Sequence, residues 1–305
     1  MTDWSIRVTL LLCLITSSAN SLSILSNGGE ASGQQRYGIT NNMLPKLPSG
    51  HILKIFTTQG GVLGGTVWPA ASILCSYLAE NQHKLNLQNN AKCVELGSGT
   101  GAVGLFAAGL GAANVILTDC RPPPDSAMYT TDGTCTLPSD GSDAVLDILR
   151  QNLEANQHVF SAAPPQVMEL DWTNSQDSHR VVAEISSDGF DIVLASDVTH
   201  FSSMHQPLAS TIAQLLRRRD DNNGGGGAGV CLLSHQQRMV NLQGQDMQLT
   251  EFEQTARSEG LEIEYLPLAQ VDQSNTALHD AKKSILLLRH KDSAAVSGDQ
   301  GRLIL

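Results

Sequence analysis

A glycine-rich segment at residues 94–104, V-E-L-G-S-G-T-G-A-V-G, has the composition of a ligand-binding turn. Its glycines permit a steep turn between an apolar strand and a helix, and a ligand can lie against the backbone because no Cβ intervenes. Asp119 ends the next apolar segment, where a carboxylate can accept hydrogen bonds from both hydroxyls of a ribose. Gly97, Gly99, Gly101 and Asp119 therefore predict a nucleoside site.

Two nucleoside ligands fit this loop. Gly99, Gly101 and Gly104 satisfy the dinucleotide pattern G-x-G-x-x-G, with Asp119 at the distance that NAD binding requires. Glu95 precedes the first glycine by two residues, and a pyrophosphate site has no use for a carboxylate there. S-adenosyl-L-methionine carries a cationic sulfonium and an ammonium, which a carboxylate favours. Glu95 therefore indicates S-adenosyl-L-methionine.

Further candidate residues follow predicted strands or precede a helix. Trp68 follows a glycine-rich stretch, so its indole can line the cofactor site or pack in the core. Asp171 and Trp172 end a strand, where the carboxylate can bind an adenine amino group and the ring can stack on the base, although Asp171 can equally cap a turn. Asp197 follows a buried strand, at the sheet edge where ligands bind, with His200 three residues later.

Four segments, in this order, resemble the family-sixteen methyltransferase domain, the seven-strand protein-lysine methyltransferases. They are G-G-T-V-W-P-A-A at 64–71, V-E-L-G-S-G-T-G at 94–101, L-D-W at 170–172 and F-D-I-V-L-A-S-D-V-T-H at 190–200. The resemblance covers residues 50–290 and implies S-adenosyl-L-methionine as cofactor and a lysine of a protein substrate as the methyl acceptor.

The resemblance also implies roles for individual residues. Asp197 would orient the substrate amine beside the transferable methyl group, and His200 would hold the amine or relay its proton. The implied cofactor contacts are Trp68, Glu95, Gly97, Gly99, Gly101, Asp119, Asp171, Trp172 and Ala195.

The match is incomplete at the position that the family ties to the substrate lysine. The family pattern is Asp-x-x-Tyr, whereas this chain has Asp197-Val198-Thr199-His200. Three outcomes are open: His200 provides a polar group comparable to that of the tyrosine, or the substrate differs, or the methyltransferase activity is lost. The last two outcomes leave a small-molecule N-methyltransferase and a non-catalytic cofactor-binding homologue open as alternatives.

The composition limits the partners. Of the 305 residues, 41% are hydrophobic and 16% charged, which excludes a fully disordered chain. The net charge of -11 repels phosphate backbones, and no N/D-P-P-Y/F motif follows the strand at 190–195, so we expect no nucleic-acid partner. No cluster has the spacing of metal ligands, and none of the six cysteines forms C-x-x-C, so we expect no metal and free thiols.

The N-terminal segment resembles a targeting leader. An apolar run at 8–15 follows Arg7 and precedes small polar residues. The run is too short to span a bilayer, so we expect no stable membrane span. It suits a signal-peptide core or an organelle transit leader, and an ordinary N-terminal helix or arm is the alternative. Localisation stays open between an intracellular protein and one targeted to an organelle or the secretory pathway.

The apolar patterning predicts an α/β fold: a doubly wound, mostly parallel seven-stranded sheet with an antiparallel strand at the C-terminal end. We expect a leader or disordered arm at 1–35, a methyltransferase domain at 47–290 with an inserted loop at 120–142, and a disordered tail at 291–305. A glycine linker is expected at 224–227. The predicted strands are 51–56, 91–96, 114–118, 166–170, 190–195, 230–234, 262–266 and 284–289, and the predicted helices are 69–81, 102–110, 143–156, 203–219 and 247–259.

Overall fold

A computed structural model gives the architecture. It describes residues 37–40, 43–58, 63–120, 144–185, 188–218, 227–238, 240–268 and 282–291. The predicted leader, nearly all of the inserted loop and of the C-terminal tail, and most of the glycine linker lie outside the described residues.

Nine strands within the described residues form two sheets. The strands are β1 (Tyr37–Thr40), β2 (Ile55–Thr58), β3 (Lys92–Leu96), β4 (Asn114–Asp119), β5 (Gln166–Glu169), β6 (Ile192–Ser196), β7 (Val230–Gln236), β8 (Leu261–Leu266) and β9 (Lys283–His290). β1 and β2 form a two-stranded antiparallel sheet. The other seven strands form one sheet in the order β5-β4-β3-β6-β7-β9-β8, and every pairing is parallel except those of β9 with β7 and β8. The predicted fold class and the antiparallel pair at the C-terminal end are confirmed.

In the part of the chain that the structure describes, six α-helices cover the two faces of the large sheet. They are α1 (Pro69–Asn81), α2 (Ala102–Gly109), α3 (Ala144–Ala155), α4 (Ser175–Ile185), α5 (His205–Leu215) and α6 (Met247–Ser258). Side chains of α1, α2 and α3 pack in one core cluster with Cys93 of β3, and those of α4, α5 and α6 pack in a second with Val94. Successive strand residues thus point to opposite faces, and both faces are covered, which explains the nearly continuous apolar runs of the strands.

The order of the parallel strands reverses between β3 and β6. The chain winds outwards from β3 to β4 and β5 on one side, and from β6 to β7 on the other. In open α/β sheets a ligand binds outside the carboxyl ends of the strands at this switch point. The glycine loop after β3 and Asp197 after β6 both lie there.

Asn152 of α3 and Asn156, which directly follows this helix, hold the segment that contains β2. Asn152 and Asn156 have no exposed surface. The amide of Asn152 accepts the N–H of Phe56 at 2.7 Å and donates to the carbonyls of Phe56 at 3.0 Å and of Thr100 in the glycine loop at 2.9 Å. Asn156 makes the same pair of bonds with Lys54, at 2.9 and 2.8 Å. Side chains thus satisfy backbone groups that a neighbouring strand would otherwise pair.

Four elements differ from the sequence predictions, and three of them are β1, β2 and α4. β1 and α4 were not predicted, because β1 has only four residues and α4 is mostly polar, with Val181 as its fully buried apolar residue. The strand predicted at 51–56 is displaced and becomes β2, because the backbone at Lys54 bonds to Asn156 instead of a strand.

The helix predicted at 203–219 ends early. α5 stops because Leu216 leaves the helix and forms a parallel bridge with Phe190. Arg217 follows this bridge and forms an ion pair with Asp191 at 2.5 Å. The bridge to Phe190, just before β6, therefore replaces the last turn of the predicted helix.

Two further observations concern the described part of the chain alone. It contains no helix that is both long and apolar enough to cross a bilayer. Its four cysteines, Cys75, Cys93, Cys120 and Cys231, are free thiols.

Candidate active site

The glycine loop takes a backbone conformation that other residues rarely adopt. The φ angles of Gly97, Gly99 and Gly101 are 59°, 53° and 77°, in the left-handed region that glycine reaches without steric cost. A Cβ on Gly99 would lie 2.7 Å from the carbonyl oxygen of Gly64. The segment that leads to Trp68 therefore packs directly on the loop, and glycine is required for this approach.

Asp119 fixes the loop from the neighbouring strand. One carboxylate oxygen accepts the N–H of Gly99 at 2.7 Å, and the other accepts the N–H of Cys120 at 2.8 Å. Burial raises the pKa of Asp119 to about 6, although these two hydrogen bonds favour the charged form. Each oxygen keeps a second lone pair, so the half-buried carboxylate can still accept a hydroxyl of a ribose.

Glu95 lies beneath the loop. Its carboxylate accepts the N–H of Gly104 in the first turn of α2 at 3.0 Å, and the residue is only 3% exposed. Burial raises the pKa of Glu95 to about 8, against the hydrogen bonds from Gly104, Ser98 and Val103 and together with the nearby charge of Asp119. The structure thus places Glu95 as a support of the loop and of the helix, and its contact with a cofactor stays a prediction.

Loops from three strands meet at Gly97. A Cβ on this residue would lie 2.9 Å from a methyl group of Val198 after β6 and 3.2 Å from the indole of Trp172 after β5. The Asp171 carboxylate accepts the N–H and the hydroxyl of Thr173, both at 2.8 Å, so it caps the turn that follows β5. The structure brings Trp172 to the glycine loop, and the contact of Asp171 with an adenine stays a prediction.

Ala195 lies inside the sheet. It pairs with Leu96 of β3 and Leu233 of β7 and has no exposed surface. Its predicted contact with a cofactor is not supported by this placement, because no atom of Ala195 is open to a ligand. The residues that can line the site come after Ala195, where β6 ends.

Asp197 is the most constrained residue of the site. It is 4% exposed, its φ of 60° is unusual for a residue with a Cβ, and its N–H donates to the carbonyl of Ser234 at 2.8 Å. Both carboxylate oxygens accept hydrogen bonds from the guanidinium of Arg238, one of them at 2.6 Å. The same guanidinium lies over the indole of Trp68, 5.4 Å from the ring centroid. Arg238 thus connects Asp197 to the segment that packs on the glycine loop.

His200 carries a lone pair suited to accepting a hydrogen bond. Its Nδ1 lies 2.9 Å from the carbonyl oxygen of Asp197, and since a carbonyl can only accept, Nδ1 holds the hydrogen. Burial lowers the pKa of His200, which the positive charge of Arg238 lowers further and the charge of Asp197 opposes. A neutral imidazole with a protonated Nδ1 leaves Nε2 as an acceptor.

A buried relay supports the loop that contains Asp197 and His200. The hydroxyl of Thr199 lies 2.8 Å from Nδ1 of His235, and Nε2 of His235 lies 2.7 Å from the carboxylate of Asp246. Thr199 and His235 are 0% and 1% exposed, so no substrate reaches this chain of hydrogen bonds. Burial alone would raise the pKa of Asp246, but hydrogen bonds from His235 and from the N-terminus of α6 hold it below its ordinary value. The relay therefore supports the loop from its buried side.

Sequence reasoning missed three of these residues: Arg238, His235 and Asp246. Arg238 contacts a carboxylate 41 residues away in sequence, and local patterning does not predict such a pair. Their position in the sequence could have indicated them, because His235 is the second-last residue of β7 and Arg238 follows this strand at the carboxyl edge of the sheet, where the site was expected. Within the described ranges, no group of three or more His, Cys, Asp or Glu side chains could hold a metal ion.

The sheet order, the glycine loop at its switch point and the carboxylate of Asp119 define a nucleoside-binding protein of the doubly wound α/β class. A model of the lysine methyltransferase family matches residues 48–241, well over half of the chain, and the chain belongs to this family. The family expected from the four sequence segments is confirmed. Membership also decides between the two nucleosides in favour of S-adenosyl-L-methionine over NAD.

Two relatives illustrate the similarity. The chain is 29% identical over 151 residues to a calmodulin-lysine N-methyltransferase of Arabidopsis thaliana, covering 49% of this chain and 40% of the relative. It is 32% identical over 165 residues to EEF1A lysine methyltransferase 3 of Xenopus tropicalis, covering 53% of this chain and 58% of the relative. The chain thus spans about half the length of the curated relatives it matches.

Among solved structures, the fold is similar to that of a 16S rRNA methyltransferase from T. thermophilus in complex with AdoMet and guanosine. The TM-score is 0.51 at 16% identity, and the match covers 86% of this chain and 52% of that chain. At this identity the similarity confirms the fold.

Proposed function

We propose that this chain transfers the methyl group of S-adenosyl-L-methionine to a lysine side chain of another protein. The observation that carries the proposal is the placement of Asp197, a buried carboxylate one strand away from the glycine loop, with the adjacent Val198 in reach of Gly97. A carboxylate at this edge can bind an amine beside the cofactor.

The described residues fit the cofactor. The glycine loop lies at the switch point of the sheet, Asp119 offers acceptors for a ribose, and the indole of Trp172 lies beside Gly97. The bound cofactor would supply a methyl group on a cationic sulfur. The contacts of Trp68, Glu95 and Asp171 with it are part of the same proposal.

The chemistry demands a neutral, aligned amine. The nitrogen lone pair forms the new N–C bond, the S–C bond breaks, and its electron pair stays on sulfur, which leaves as a neutral thioether. A free lysine has a pKa of about 10.4, so the amine must lose its proton before attack. The proton leaves to solvent as the amine enters the site, Asp197 orients the neutral amine in line with the methyl group, and Nε2 of His200 accepts a hydrogen bond from it. His200 in this way takes the place of the tyrosine in the family pattern.

The relatives support a protein substrate, because their names specify lysines of calmodulin and of EEF1A. A non-catalytic cofactor-binding protein is the second candidate. One observation favours it: the guanidinium of Arg238 already occupies both oxygens of Asp197. The absence of a nucleic-acid partner stays a prediction from the net charge of -11.

Methyl transfer into a eukaryotic cell lysate tests the proposal. Lysate, tritiated S-adenosyl-L-methionine and purified protein are incubated together, and label is measured in protein and in small molecules against a sample without enzyme. We expect protein-bound label that yields methyllysine on hydrolysis. Label in small molecules alone would support the small-molecule N-methyltransferase, and cofactor binding by calorimetry without any label would support the non-catalytic candidate.

A further inference from the structure

Arg238 and Asp197 form a closed ion pair at the centre of the site. The two guanidinium nitrogens each donate to one carboxylate oxygen, and one of them also donates to the carbonyl of Gln236 at 3.2 Å. The side chains are 13% and 2% exposed, so water screens the pair weakly. The planar guanidinium fits a carboxylate with both nitrogens, which a lysine at this position would not reproduce.

This pair changes the charge that a substrate amine meets. An unpaired carboxylate in a buried site would attract the ammonium form of lysine and stabilise its proton. Methyl transfer requires the opposite, because only the neutral amine has a lone pair for attack. A carboxylate whose charge is balanced by a guanidinium can still accept a hydrogen bond through its remaining lone pairs, and the fixed positive charge disfavours a second cation beside it.

We propose that Arg238 is a positioning residue that neutralises Asp197, so that the substrate amine gives up its proton to solvent when it enters the site. The inference rests on the proposed function and on the role of Asp197 in it. Arg238 acts through Asp197 and through the indole of Trp68, over which it lies at 5.4 Å. It is thus part of the amine site without contacting the reacting atoms.

The other charged and titratable groups around the pair do not replace Arg238. His200, in the loop after β6, is held neutral because burial lowers its pKa. His235 of β7 and Asp246 at the start of α6 bond to each other at 2.7 Å, and their chain of hydrogen bonds ends on Thr199. Trp68, on the side of α1, is uncharged. Among the described residues bonded to the carboxylate of Asp197, Arg238 is the cation that balances it.

The pH dependence of methyl transfer separates this electrostatic effect from a structural one. Arg238→Gln removes the charge and keeps polar atoms, Arg238→Lys keeps the charge, and Arg150→Gln removes a guanidinium from an exposed ion pair with Asp147. Each protein methylates the same lysate with tritiated S-adenosyl-L-methionine across a pH series. All proteins methylate the same lysate proteins, so the pH dependence of the acceptor lysines is the same for each. It therefore cancels when the rate of a variant is divided by the rate of the wild type at the same pH. Calorimetry with S-adenosyl-L-methionine checks that each variant folds and binds the cofactor.

We expect the relative rate of Arg238→Gln to be at least about tenfold lower near pH 7 than near pH 9.5, because the unbalanced Asp197 holds the amine protonated until higher pH. Arg238→Lys should show a smaller change with pH, and the relative rate of Arg150→Gln should not change. A loss in Arg238→Gln that is equal at every pH, with cofactor affinity retained, would overturn the inference and leave the proposed function standing. Failure of the wild-type protein to label lysine at any pH would refute the proposed function and this inference together.

Discussion

The N–H of Gly99 donates to the carboxylate of Asp119 over 2.7 Å, and this bond joins the loop after β3 to the end of β4. The same carboxylate is the acceptor that we assign to the ribose of the cofactor. The shape of the loop and the binding of the nucleoside therefore depend on one ionised group. Since burial raises the pKa of Asp119 to about 6, that group titrates close to neutral pH.

Cofactor affinity should consequently fall as the pH is lowered through about 6. Protonation removes acceptor capacity from Asp119, and hydrogen bonds to a charged group contribute about 1.5–3 kcal/mol, so the loss should be at least about tenfold. Asp119→Asn should bind S-adenosyl-L-methionine about tenfold more weakly at neutral pH and show no such dependence. Calorimetry between pH 5 and 8 measures both. Equal wild-type affinity across this range would show that Asp119 does not hold the ribose.

Glu95 should make the folded protein less stable as the pH rises. Its pKa is raised by burial to about 8, so between the ordinary carboxyl pKa and about 8 the folded state binds more protons than the unfolded state, and stability falls with increasing pH. Glu95→Gln removes this dependence and keeps an oxygen for the N–H of Gly104. We expect the variant to gain on the order of 3 kcal/mol over wild type between pH 5 and 8.

Urea unfolding at several pH values measures the gain, and the exposed Glu154→Gln serves as the matched control. The difference between Glu95→Gln and wild type must grow with pH. A constant difference would mean that Glu95 is charged in the folded protein throughout, and that its carboxylate is available to a cationic ligand.

The relay behind the active-site loop should affect turnover more than cofactor binding. Thr199→Val leaves Nδ1 of His235 without its buried partner, which costs about 1–3 kcal/mol and loosens the loop that contains Asp197. We expect the kcat for methyl transfer to fall about tenfold with unchanged affinity for S-adenosyl-L-methionine. Thr199→Ser keeps the hydroxyl and should retain most of the kcat. If serine and valine were equally harmful, packing of the methyl group and not the hydrogen bond would be the important contact.

Asn152 should be required for stability of the whole domain. Its amide bonds to Phe56 and to Thr100 at the same time, and its removal takes a hydrogen bond from each of three backbone groups. We expect Asn152→Ala to lower the free energy of unfolding by about 2–4 kcal/mol, whereas the exposed Asn89→Ala should change it by less than about 0.5 kcal/mol. Chemical denaturation of the two variants in parallel checks this, and a loss below 1 kcal/mol for Asn152→Ala would contradict the assigned bonds.

The parallel sheet could be predicted because its strands are buried on both faces. β3, β4, β6 and β7 are short apolar runs, and the glycines and prolines beside them mark where the chain turns. α4 could not be found in the same way, since Val181 is its one fully buried apolar side chain and a single position gives no period. The early end of α5 depends on a bridge between Leu216 and Phe190, which only the folded sheet brings together.

The candidate site was predictable where a residue directly follows its strand. Asp119, Trp172 and Asp197 were expected at the carboxyl edge of the sheet. In the structure, Asp119 and Trp172 lie at the glycine loop, and Asp197 follows β6, the strand that pairs with β3. Arg238 was not expected, because its partner comes from another strand and the residues before it are polar and unremarkable. Two side chains that are distant in sequence pair only when the fold brings their loops together. The spacing of residues along the chain does not predict such a contact.

The most direct test of the account compares wild type with Asp197→Asn in the labelling of lysine. Asparagine adopts positive φ more readily than other residues and has the shape of aspartate, so the variant should keep the backbone at φ 60° and the binding of S-adenosyl-L-methionine. We predict methyllysine in lysate proteins treated with wild type and at least about a hundredfold less with Asp197→Asn. Equal methyllysine with both proteins would contradict the assignment of the amine site to Asp197.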